Sequence, residues 1–542
     1  MTELFTRHRR MLEDAVQALS TRAFWTPFPE VPSGKFYGET AKADGEAAYA
    51  ALLGSDFALP GHPEQRRLGA EVSPWGNSLG ITYPAADAPA LIAAAQAAAD
   101  DLAAASVEQR VGACLETLSR LNRISFLLGH ATMHTTGQAF AMAFQAGGPH
   151  AQDRGLEAVA VAYTEMTRFA DSARWEKPQG KAPALVIDKR WTLVPAGIAL
   201  TIGCNTFPTW NSYPGIFASL ATGSPVIVKP HPAAILPLAL TVQVAREVLV
   251  EAGLPADAIL LAVDEPGAEI TKQLATDPTV RLIDYTGSSA FGTWLRENAK
   301  QAQIFTEETG VNSVVIAATD DFDGMCANLA FSLSLYSGQM CTAPQNIYVP
   351  QGGIAADQGH KSFDQVAAGL AAAIDTLLAD PKQAAGICGA IANPATRDRV
   401  EQARAQGRVI RDGTPLLLAV DADAPVAQDE CFGPVGFVIP CADADDGIAR
   451  ATELAATKGA ITAALYDTDD ARIGRAVRAF ARAGVNLSVN LTGNIFVNQS
   501  AAFSDFHVTG ANPAGNASLT DCAFVATRFR RVMWRRPAAV TV

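Results

Sequence analysis

Residues 197–230 read GIALTIGCNTFPTWNSYPGIFASLATGSPVIVKP, two short apolar runs on either side of a helical segment. The runs, GIALTIG (197–203) and SPVIVKP (224–230), are each long enough for one buried strand. The alternation continues with AILLAV (258–263) and RLIDYTGS (281–288), again separated by helical segments. Short buried strands that alternate with helices indicate a parallel sheet with helices on both faces. We therefore predict an α/β fold for this part of the chain.

The alternation returns after residue 308, which indicates a second α/β unit. Its apolar runs are NSVVIA (312–317), NIYVP (346–350) and GFVIP (436–440). A chain of 542 residues is too long for one hydrophobic core, so more than one domain is expected. Residues 20–85 are rich in Pro and Gly, and we expect irregular structure there.

Composition and charge disfavour several classes of partner. The net charge of −13 disfavours a nucleic acid or a membrane surface. The longest apolar stretch, 89–106, contains Gln96, Asp100 and Asp101 and is too polar to span a bilayer. The eight cysteines include no CxxC pair, so no zinc ribbon or thioredoxin-type site is predicted. We expect a cytoplasmic protein with no bound metal.

Three candidate site features follow predicted strands, where parallel sheets bind ligands. Asn205 could donate to an oxyanion, although an Asn that stabilises a turn is the commoner case. Lys229 could reach a ribose hydroxyl or a phosphate, or could simply be solvated. Residues 287–292, GSSAFG, open a helix whose amides could bind phosphate, but they lack the G-x-G-x-x-G pattern.

Two further residues have side chains suited to covalent catalysis. Cys341, in YSGQMCTAP (336–344), could be a nucleophile, because thiolates attack carbonyls readily. Glu308, in FTEETGVN, could activate water beside a thioester. Each has an ordinary alternative: a buried cysteine is usually a small apolar side chain, and a lone Glu is usually on the surface.

Together these features resemble the aldehyde dehydrogenase superfamily over about residues 87–540. The order Asn205, Lys229-Pro230, G-S-x-x-x-G, E-x-G and G-Q-x-C is that of its motifs. ECFGPV (430–435) resembles its E-x-F-G-P-V motif, and the segment from Phe503 to Gly510 has the spacing of its F-G-G-x-x-x-S-G. The N-terminal lead-in resembles the phenylacetate-degradation group, PaaN, related to ring-opening aldehyde dehydrogenases; we expect no hydratase domain.

The resemblance implies oxidation of an aldehyde through a thiohemiacetal and a thioester. Cys341 would attack the aldehyde, Asn205 and the Cys341 N–H would hold the oxyanion, and Glu308 would activate water. A nicotinamide cofactor would take the hydride. The residues implied to hold that cofactor are Ile202, Lys229, Pro230, His231, Thr286, Gly287, Ser288, Phe291, Gly292, Glu430 and Phe432.

The resemblance also implies a three-part organisation. We expect a Rossmann-type cofactor domain with the N-terminal extension over 1–182 and 197–307. A second α/β domain, the catalytic domain, is expected over 308–524. A small β oligomerisation element is expected over 183–196 and 525–542. The tail RFRRVMWRR (528–536) is predicted to pair with an edge strand such as 185–195 of a neighbouring subunit, giving a homodimer or homotetramer. Binding of nucleic acid by this tail is the disfavoured alternative.

Three departures from the family pattern stand out. Pro232 occupies a position where many NAD-preferring relatives carry an acidic residue, so we expect NADP to be accepted and preferred, with NAD as the alternative. Ser504-Asp505 replaces a double glycine, and Val311 replaces the usual second glycine after E-x-G.

His231 and His507 lack metal-ligand spacing, and ordinary packing or turn roles are preferred for both.

The expected substrate is a small aldehyde, and a CoA-linked semialdehyde of phenylacetate or aromatic degradation is favoured. Two other classes of function remain open. Cys341 could serve a CoA-acylating dehydrogenase or an acyltransferase, which Glu308 disfavours because a hydrolytic base is then unwanted. A non-catalytic oligomeric scaffold is disfavoured because Asn205, Glu308 and Cys341 occur together.

Overall fold

Helices dominate the N-terminal part of the chain. The structure is a computed structural model that describes residues 3–267 and 270–538. Ser106 opens one helix with a capping box, because its hydroxyl accepts from the Gln109 N–H and the Gln109 side chain accepts from the Ser106 N–H. The elements are α1 (Glu3–Thr21), α2 (Gly34–Tyr37), α3 (Ala41–Leu52), β1 (Arg66–Leu68), β2 (Tyr83–Ala85), α4 (Ala88–Ala104), α5 (Val107–Arg123), α6 (Ser125–Thr136), α7 (Phe140–Gly147) and α8 (Pro149–Thr167).

The prediction of irregular structure over 20–85 is wrong in part. Helix α3 lies inside this segment, and its sequence AKADGEAAYAAL is rich in alanine, the strongest helix former. The Pro and Gly residues of the wider segment hid this local preference. Tyr49 of α3 is buried, so the helix is also held by packing.

A β-hairpin follows the N-terminal helices. Its strands, β3 (Ser172–Gln179) and β4 (Ala182–Pro195), pair antiparallel. All of β3 is exposed, and β4 is only partly covered towards its end. The exposed hairpin strand predicted over 185–195 is confirmed.

The first predicted α/β unit forms a five-stranded, fully parallel sheet of strand order β7-β6-β5-β8-β9. Its short strands are almost entirely buried, which explains their continuous apolar runs. The elements are β5 (Ile198–Ile202), α9 (Pro208–Thr222), β6 (Val226–Lys229), α10 (Leu236–Glu251), β7 (Ile259–Leu261), α11 (Ile270–Thr276), β8 (Val280–Thr286), α12 (Ser289–Asn298) and β9 (Gln303–Glu307).

The second unit forms a seven-stranded sheet, parallel except at one edge. Its order is β15-β16-β17-β12-β10-β18-β19, in which β15 runs antiparallel to β16. The elements are β10 (Ser313–Ile316), β11 (Ala318–Thr319), α13 (Phe322–Ser334), β12 (Asn346–Pro350), β13 (Ile354–Ala356), β14 (Gly359–Lys361), α14 (Phe363–Leu377), α15 (Pro381–Cys388), α16 (Ala395–Arg404), β15 (Arg408–Arg411), β16 (Leu416–Ala419), α17 (Pro425–Gln428), β17 (Val435–Cys441), α18 (Ala444–Lys458), β18 (Thr462–Tyr466), α19 (Asp470–Arg482), β19 (Asn486–Val489), α20 (Cys522–Ala526) and β20 (Phe529–Pro537).

The C-terminal strand pairs within its own chain. β20 runs antiparallel to β4 from Phe529 opposite Pro195 to Pro537 opposite Ile187, so the predicted pairing with 185–195 of a neighbouring subunit is wrong. Buried Arg528 fixes the start of β20, because it donates to the Asp284 carboxylate of the five-stranded sheet at 2.5 and 3.0 Å. Residues 539–542 of the predicted oligomerisation element lie outside the described residues.

The helices within residues 3–267 and 270–538 are short or polar compared with a membrane-spanning helix. No single helix there is both long and apolar enough to cross a bilayer. The two helices Ala88–Ala104 and Val107–Arg123 together have the length and apolar composition of a membrane span, but the chain bends by 118° between them.

Candidate functional site

The turn that precedes Cys341 has an unusual backbone. Tyr336, Ser337 and Gly338 have φ values of 50°, 52° and 63°, which place three consecutive residues in the left-handed region. Glycine is needed at the third position, since a Cβ on Gly338 would stand 2.3 Å from the carbonyl oxygen of Gly433. The S-G part of the motif therefore allows a turn that few other sequences tolerate.

Gln339 holds this turn in place. Its Nε2 donates to the carbonyls of Tyr336 at 3.1 Å and Ala390 at 3.0 Å, while its Oε1 accepts from the Ala392 N–H at 2.8 Å. The side chain is buried, so these bonds replace those that water would make. The glutamine of G-Q-x-C thus fixes the loop that carries the thiol.

Asn312 ties the same loop to the seven-stranded sheet. Its Nδ2 donates to the carbonyls of Cys341 at 2.8 Å and Ala343 at 2.9 Å. Its Oδ1 accepts from the N–H groups of Ile461 and Thr462 at 2.9 and 3.0 Å. One buried amide therefore satisfies four backbone groups and sets the height of the thiol above the sheet.

The Cys341 thiol lies beside an imidazole and a carboxylate. Its Sγ is 3.4 Å from Nε2 of His507, and the same nitrogen is 3.1 Å from Oε1 of Glu307. Asn211 donates to the other Glu307 oxygen at 2.8 Å, and Cys204 contacts the Asn211 Oδ1 at 3.6 Å. The structure thus assembles Cys341, His507 and Glu307 into one buried cluster that Asn211 orients.

Burial and charge set the acid–base properties of this cluster. Burial opposes ionisation of Glu307, but the charge of His507 and hydrogen bonds from His507, Cys341 and Asn211 outweigh it and lower the pKa of Glu307. Burial and then the Glu307 carboxylate raise the pKa of Cys341 well above its ordinary value. The thiol is therefore protonated at neutral pH, and it needs a base before it can attack.

Glu308 takes a different direction from Glu307. Its side chain forms an ion pair with Arg296 of α12 and lies against Gly292, where a Cβ would meet the carboxylate. Among the described residues no hydrogen bond or ion pair joins Glu308 to Cys341. Glu308 faces a cleft of about 790 Å³ whose lining also includes Ser289, Glu430, Lys458 and Asn512.

The other predicted catalytic group, Asn205, lies after β5 and is partly buried. Its Oδ1 is buried and has no hydrogen-bond partner among the described residues. Because the Asn205 Oδ1 accepts no hydrogen bond, it does not stabilise a turn, and this argues against the interpretation of Asn205 as a turn residue. Its role as an oxyanion donor stays a prediction.

The predicted cofactor residues from Ile202 to Gly292 end or follow strands at the carboxyl edge of the five-stranded sheet, whereas Glu430 and Phe432 precede β17 of the seven-stranded sheet. Ile202 ends β5, Lys229 ends β6, and Thr286 ends β8. Thr286 leads directly into a turn at Gly287, where the Tyr285 side chain leaves no room for a Cβ: one would stand 2.5 Å from the Tyr285 hydroxyl oxygen. This edge fits a dinucleotide, which needs backbone at close range and a helix N-terminus.

Side-chain contacts define several of these residues further. The Ser288 hydroxyl accepts from the Phe291 N–H at 3.4 Å and caps α12. Lys229 donates to the carbonyl of Pro230 and forms an ion pair with Asp264, both at 2.8 Å. His231 and Pro230 follow Lys229 directly at this edge.

The E-x-F-G-P-V segment borders the cleft. Burial raises the pKa of Glu430 to about 7, although the Gly310 N–H donates to it. The carbonyl of Phe432 accepts from Arg399 at 2.6 Å. Gln345 anchors the segment, since its Oε1 accepts from the Cys431 N–H at 2.6 Å.

Sequence reasoning missed Glu307 and Asn211, and it favoured an ordinary packing or turn role for His507. The paired acidic residues Glu307-Glu308 are the local signal: Glu307 ends β9 and Glu308 follows it directly, and successive side chains of an extended chain face opposite ways. Nothing in the local sequence of His507 indicates contact with Cys341, because 166 positions separate them.

Comparisons with known proteins identify relatives of the chain. Residues 80–511 match the model of the aldehyde dehydrogenase family. A crystal structure of an NAD-dependent aldehyde dehydrogenase from Burkholderia multivorans is 52% identical, with a TM-score of 0.97 over 99% of this chain and 100% of that chain.

Curated relatives are more distant. A 1-pyrroline-5-carboxylate dehydrogenase of Bacillus subtilis is 27% identical over 58% of this chain and 62% of its own length. An N-succinylglutamate 5-semialdehyde dehydrogenase of Burkholderia multivorans is 26% identical over 85% of this chain and 93% of its own length. The match thus spans less than two thirds of the first of these relatives and most of the second.

Proposed function

The chain belongs to the aldehyde dehydrogenase family, and we propose that it oxidises an aldehyde to a carboxylic acid with NAD or NADP through a covalent intermediate on Cys341. One observation carries the proposal: the thiol stands on a fixed loop, in contact with a His507–Glu307 pair that can take its proton. A cysteine that only filled space would need neither the strained turn nor the imidazole.

The first step is attack by Cys341 on the aldehyde carbon. The thiol proton passes to Nε2 of His507 in the tautomer that carries its ring proton on Nδ1, and the Glu307 carboxylate stabilises the imidazolium that results. The carbonyl oxygen becomes an oxyanion, for which Asn205 and the Cys341 N–H are the proposed donors. The product of this step is a thiohemiacetal.

Ile202, Lys229, Pro230, the 286–292 turn and the Glu430–Phe432 segment would hold the cofactor. A bound nicotinamide would supply a hydride acceptor, so that the thiohemiacetal on Cys341 could be oxidised to a thioester. On the protein side, the protonated His507 side chain remains beside the sulfur, and the fixed loop keeps the sulfur in place.

The last step is hydrolysis of the thioester. Glu308, the residue indicated by the E-x-G motif, is the proposed group that activates water. It would act from the cleft after leaving Arg296, whereas Glu307 is already bound by His507 and Asn211. Two adjacent carboxylates would thus divide the proton transfers between acylation and deacylation.

The proposed substrate is a semialdehyde, free or CoA-linked. Support comes from a relative named for an N-succinylglutamate semialdehyde and from the resemblance of the N-terminal lead-in to the phenylacetate-degradation group. We propose aromatic degradation as the setting on that second ground. A cytoplasmic location agrees with eight free cysteines.

We also propose a homodimer or homotetramer assembled through the sheet β3-β4-β20. This sheet exposes Trp175, Leu185, Val532 and Trp534, with Val532 and Trp534 exposed by 55% and 47%. Replacing Val532 and Trp534 with aspartate should lower the mass measured by light scattering. Aspartate at Val477, an exposed residue of α19, is the matched control and should leave the mass unchanged.

The function is tested by incubating the protein with NAD or NADP and a panel of aldehydes, including CoA-linked semialdehydes, in the absence of free CoA. We expect reduced cofactor and the carboxylic acid in equal amounts, and neither from Cys341→Ala. Product that forms only when free CoA is added would instead support the acylating alternative. No product under any condition would support a scaffold.

A further inference from the structure

The cluster around Cys341 combines three kinds of metal-binding atom. The Cys341 sulfur, the His507 Nε2 and a Glu307 carboxylate oxygen all lie within 4.8 Å of one another. The sequence predicts no metal here, because the three residues come from three distant segments without ligand spacing. Only the fold brings them together, so the spacing argument does not apply to this site.

We propose that Cys341, His507 and Glu307 form a binding site for Zn²⁺, which reversibly masks the thiol. A tetrahedral zinc ion with bonds of about 2.0–2.3 Å needs its ligand atoms roughly 3–4 Å apart. The sulfur–nitrogen and nitrogen–oxygen distances of 3.4 and 3.1 Å lie in that range. Ca²⁺ and Mg²⁺ prefer sites built from oxygen ligands, so they are not expected to compete.

The surroundings favour a zinc site in two ways. Asn211 donates to one Glu307 oxygen at 2.8 Å and thereby turns the other oxygen towards His507 and Cys341, which is the usual role of a residue behind a ligand. The Nδ1 atom of His507 has no hydrogen-bond partner among the described residues, and zinc binding needs the tautomer that carries the ring proton there, so that Nε2 exchanges its hydrogen bond with Glu307 for a bond to the metal. The Trp210 ring, with its centroid 4.5 Å from that of His507, closes one side.

Charge balance also supports the site. Binding converts the Cys341 thiol into a zinc-bound thiolate and releases to solvent the thiol proton and the Nε2 proton of any charged His507, while no group is oxidised or reduced. The two positive charges of zinc then meet one thiolate and the Glu307 carboxylate. A buried site with zero net charge avoids the cost of an unpaired ion. The fourth position would hold water.

Metal binding and catalysis make separate demands on this cluster. Zinc on the sulfur blocks attack on a carbonyl, so binding should inhibit turnover and protect Cys341 from alkylation, both reversed by a chelator. Zinc affinity and stoichiometry can be measured without substrate or cofactor. A protein that binds no zinc could therefore still oxidise aldehydes, and one that oxidises none could still bind zinc.

The test is a zinc titration of the metal-free protein in competition with a chromophoric chelator. We expect one tight site per chain in the parent. Cys341→Ser, His507→Gln and Glu307→Gln should each weaken it at least about 100-fold, and Asn211→Ala by about 10–100-fold. Cys522→Ser removes an exposed thiol outside the cluster and should leave the tight site unchanged.

A second measurement on the parent guards against variants that fail to fold. Co²⁺ in place of Zn²⁺ should give the absorption of a thiolate-bound tetrahedral ion, and iodoacetamide should label Cys341 only after the metal is removed. Tight binding that survives in folded Cys341→Ser, or a parent without a thiolate-to-cobalt band, would overturn the proposal.

Discussion

The Nε2 atom of His507 lies 3.4 Å from the sulfur of Cys341, although the residues are 166 positions apart. The same nitrogen lies 3.1 Å from the Glu307 carboxylate, so one atom contacts both thiol and carboxylate. A proton that leaves the sulfur therefore has a short path to a base. This relationship makes His507 the residue whose removal should separate thiol activation from every later step.

Replacing His507 with alanine should slow acylation of Cys341 by about 100-fold, within the range for general base catalysis. The thiol would remain in place on its loop but would lose its proton acceptor. Single-turnover formation of reduced cofactor measures this step directly. His360→Ala, at an exposed histidine of β14, is the control and should leave the rate unchanged. Equal single-turnover rates in parent and His507→Ala would contradict the role.

Glu307→Gln should move the pH profile of Cys341 alkylation to lower pH. Burial and then the Glu307 carboxylate raise the pKa of the thiol, and the carboxylate does so because a nearby negative charge disfavours the thiolate. Neutral glutamine removes that charge, so the pKa of Cys341 falls and thiolate forms at lower pH. Iodoacetamide rates across a pH series give the profile. Glu308→Gln changes the adjacent carboxylate and should leave the profile in place, and a Glu307→Gln profile that moves upward would refute the electrostatic account.

Glu308→Gln should impair deacylation more than hydride transfer. A burst of reduced cofactor should survive in stopped-flow traces and should be followed by a slow steady state. Arg296→Met keeps the carboxylate and removes only its ion-pair partner, so it should retain a fast steady state. If burst and steady state fall equally in Glu308→Gln, Glu308 is not chiefly the hydrolytic base.

Asn312→Ala should lower the free energy of unfolding by about 3–5 kcal/mol, because it leaves four backbone groups near Cys341 without partners. Urea denaturation measures the loss, and kcat should fall with it as the thiol loop moves. Asn298→Ala, on the exposed end of α12, removes only one hydrogen bond and should change stability by less than about 0.5 kcal/mol. A similar loss in both variants would mean that Asn312 is not the anchor.

The sequence predicts those parts of the site that depend on local order. Apolar runs mark β5, β6 and β8, so the sequence predicts that Asn205, Lys229 and Gly287 follow strand ends. Because the strands are parallel, their carboxyl ends lie at one edge of the sheet. The α/β fold with Rossmann-type sheets is confirmed for the same reason.

Contacts made by irregular segments could not be predicted in this way. His507 lies between β19 and α20, where no periodic pattern fixes the path of the chain. The departure Ser504-Asp505 acquires a meaning only in the fold, since Asp505 pairs with buried Arg154 of α8 at 3.1 Å. For β20, the sequence indicated a strand that needs a partner but not that Arg528 would anchor it beside β4 of the same chain.

The cofactor preference depends on the carboxylate of Asp264, which the sequence alone does not place near Lys229. Pro232 removes one acidic group near the expected adenosine ribose, which favoured NADP. The structure brings Asp264 within 2.8 Å of Lys229 at the same sheet edge. Loss of solvent around the ring and then the Lys229 charge lower the pKa of His231 to about 4, although the residue as a whole is exposed, so His231 adds no positive charge at neutral pH. We therefore expect both cofactors to be used, with Asp264 opposing a 2′-phosphate.

Asp264→Asn should raise kcat/KM for NADP relative to NAD by about tenfold, because a charge contact is typically worth about 1–3 kcal/mol and about 1.4 kcal/mol is a factor of ten. Asparagine keeps a hydrogen-bond acceptor for Lys229 and removes only the charge. Pro232→Glu is the opposing variant and should shift the same ratio towards NAD. The measurement is the ratio of kcat/KM for the two cofactors in all three proteins. If neither substitution moves that ratio, the 2′ position is recognised away from the Lys229–Asp264 pair.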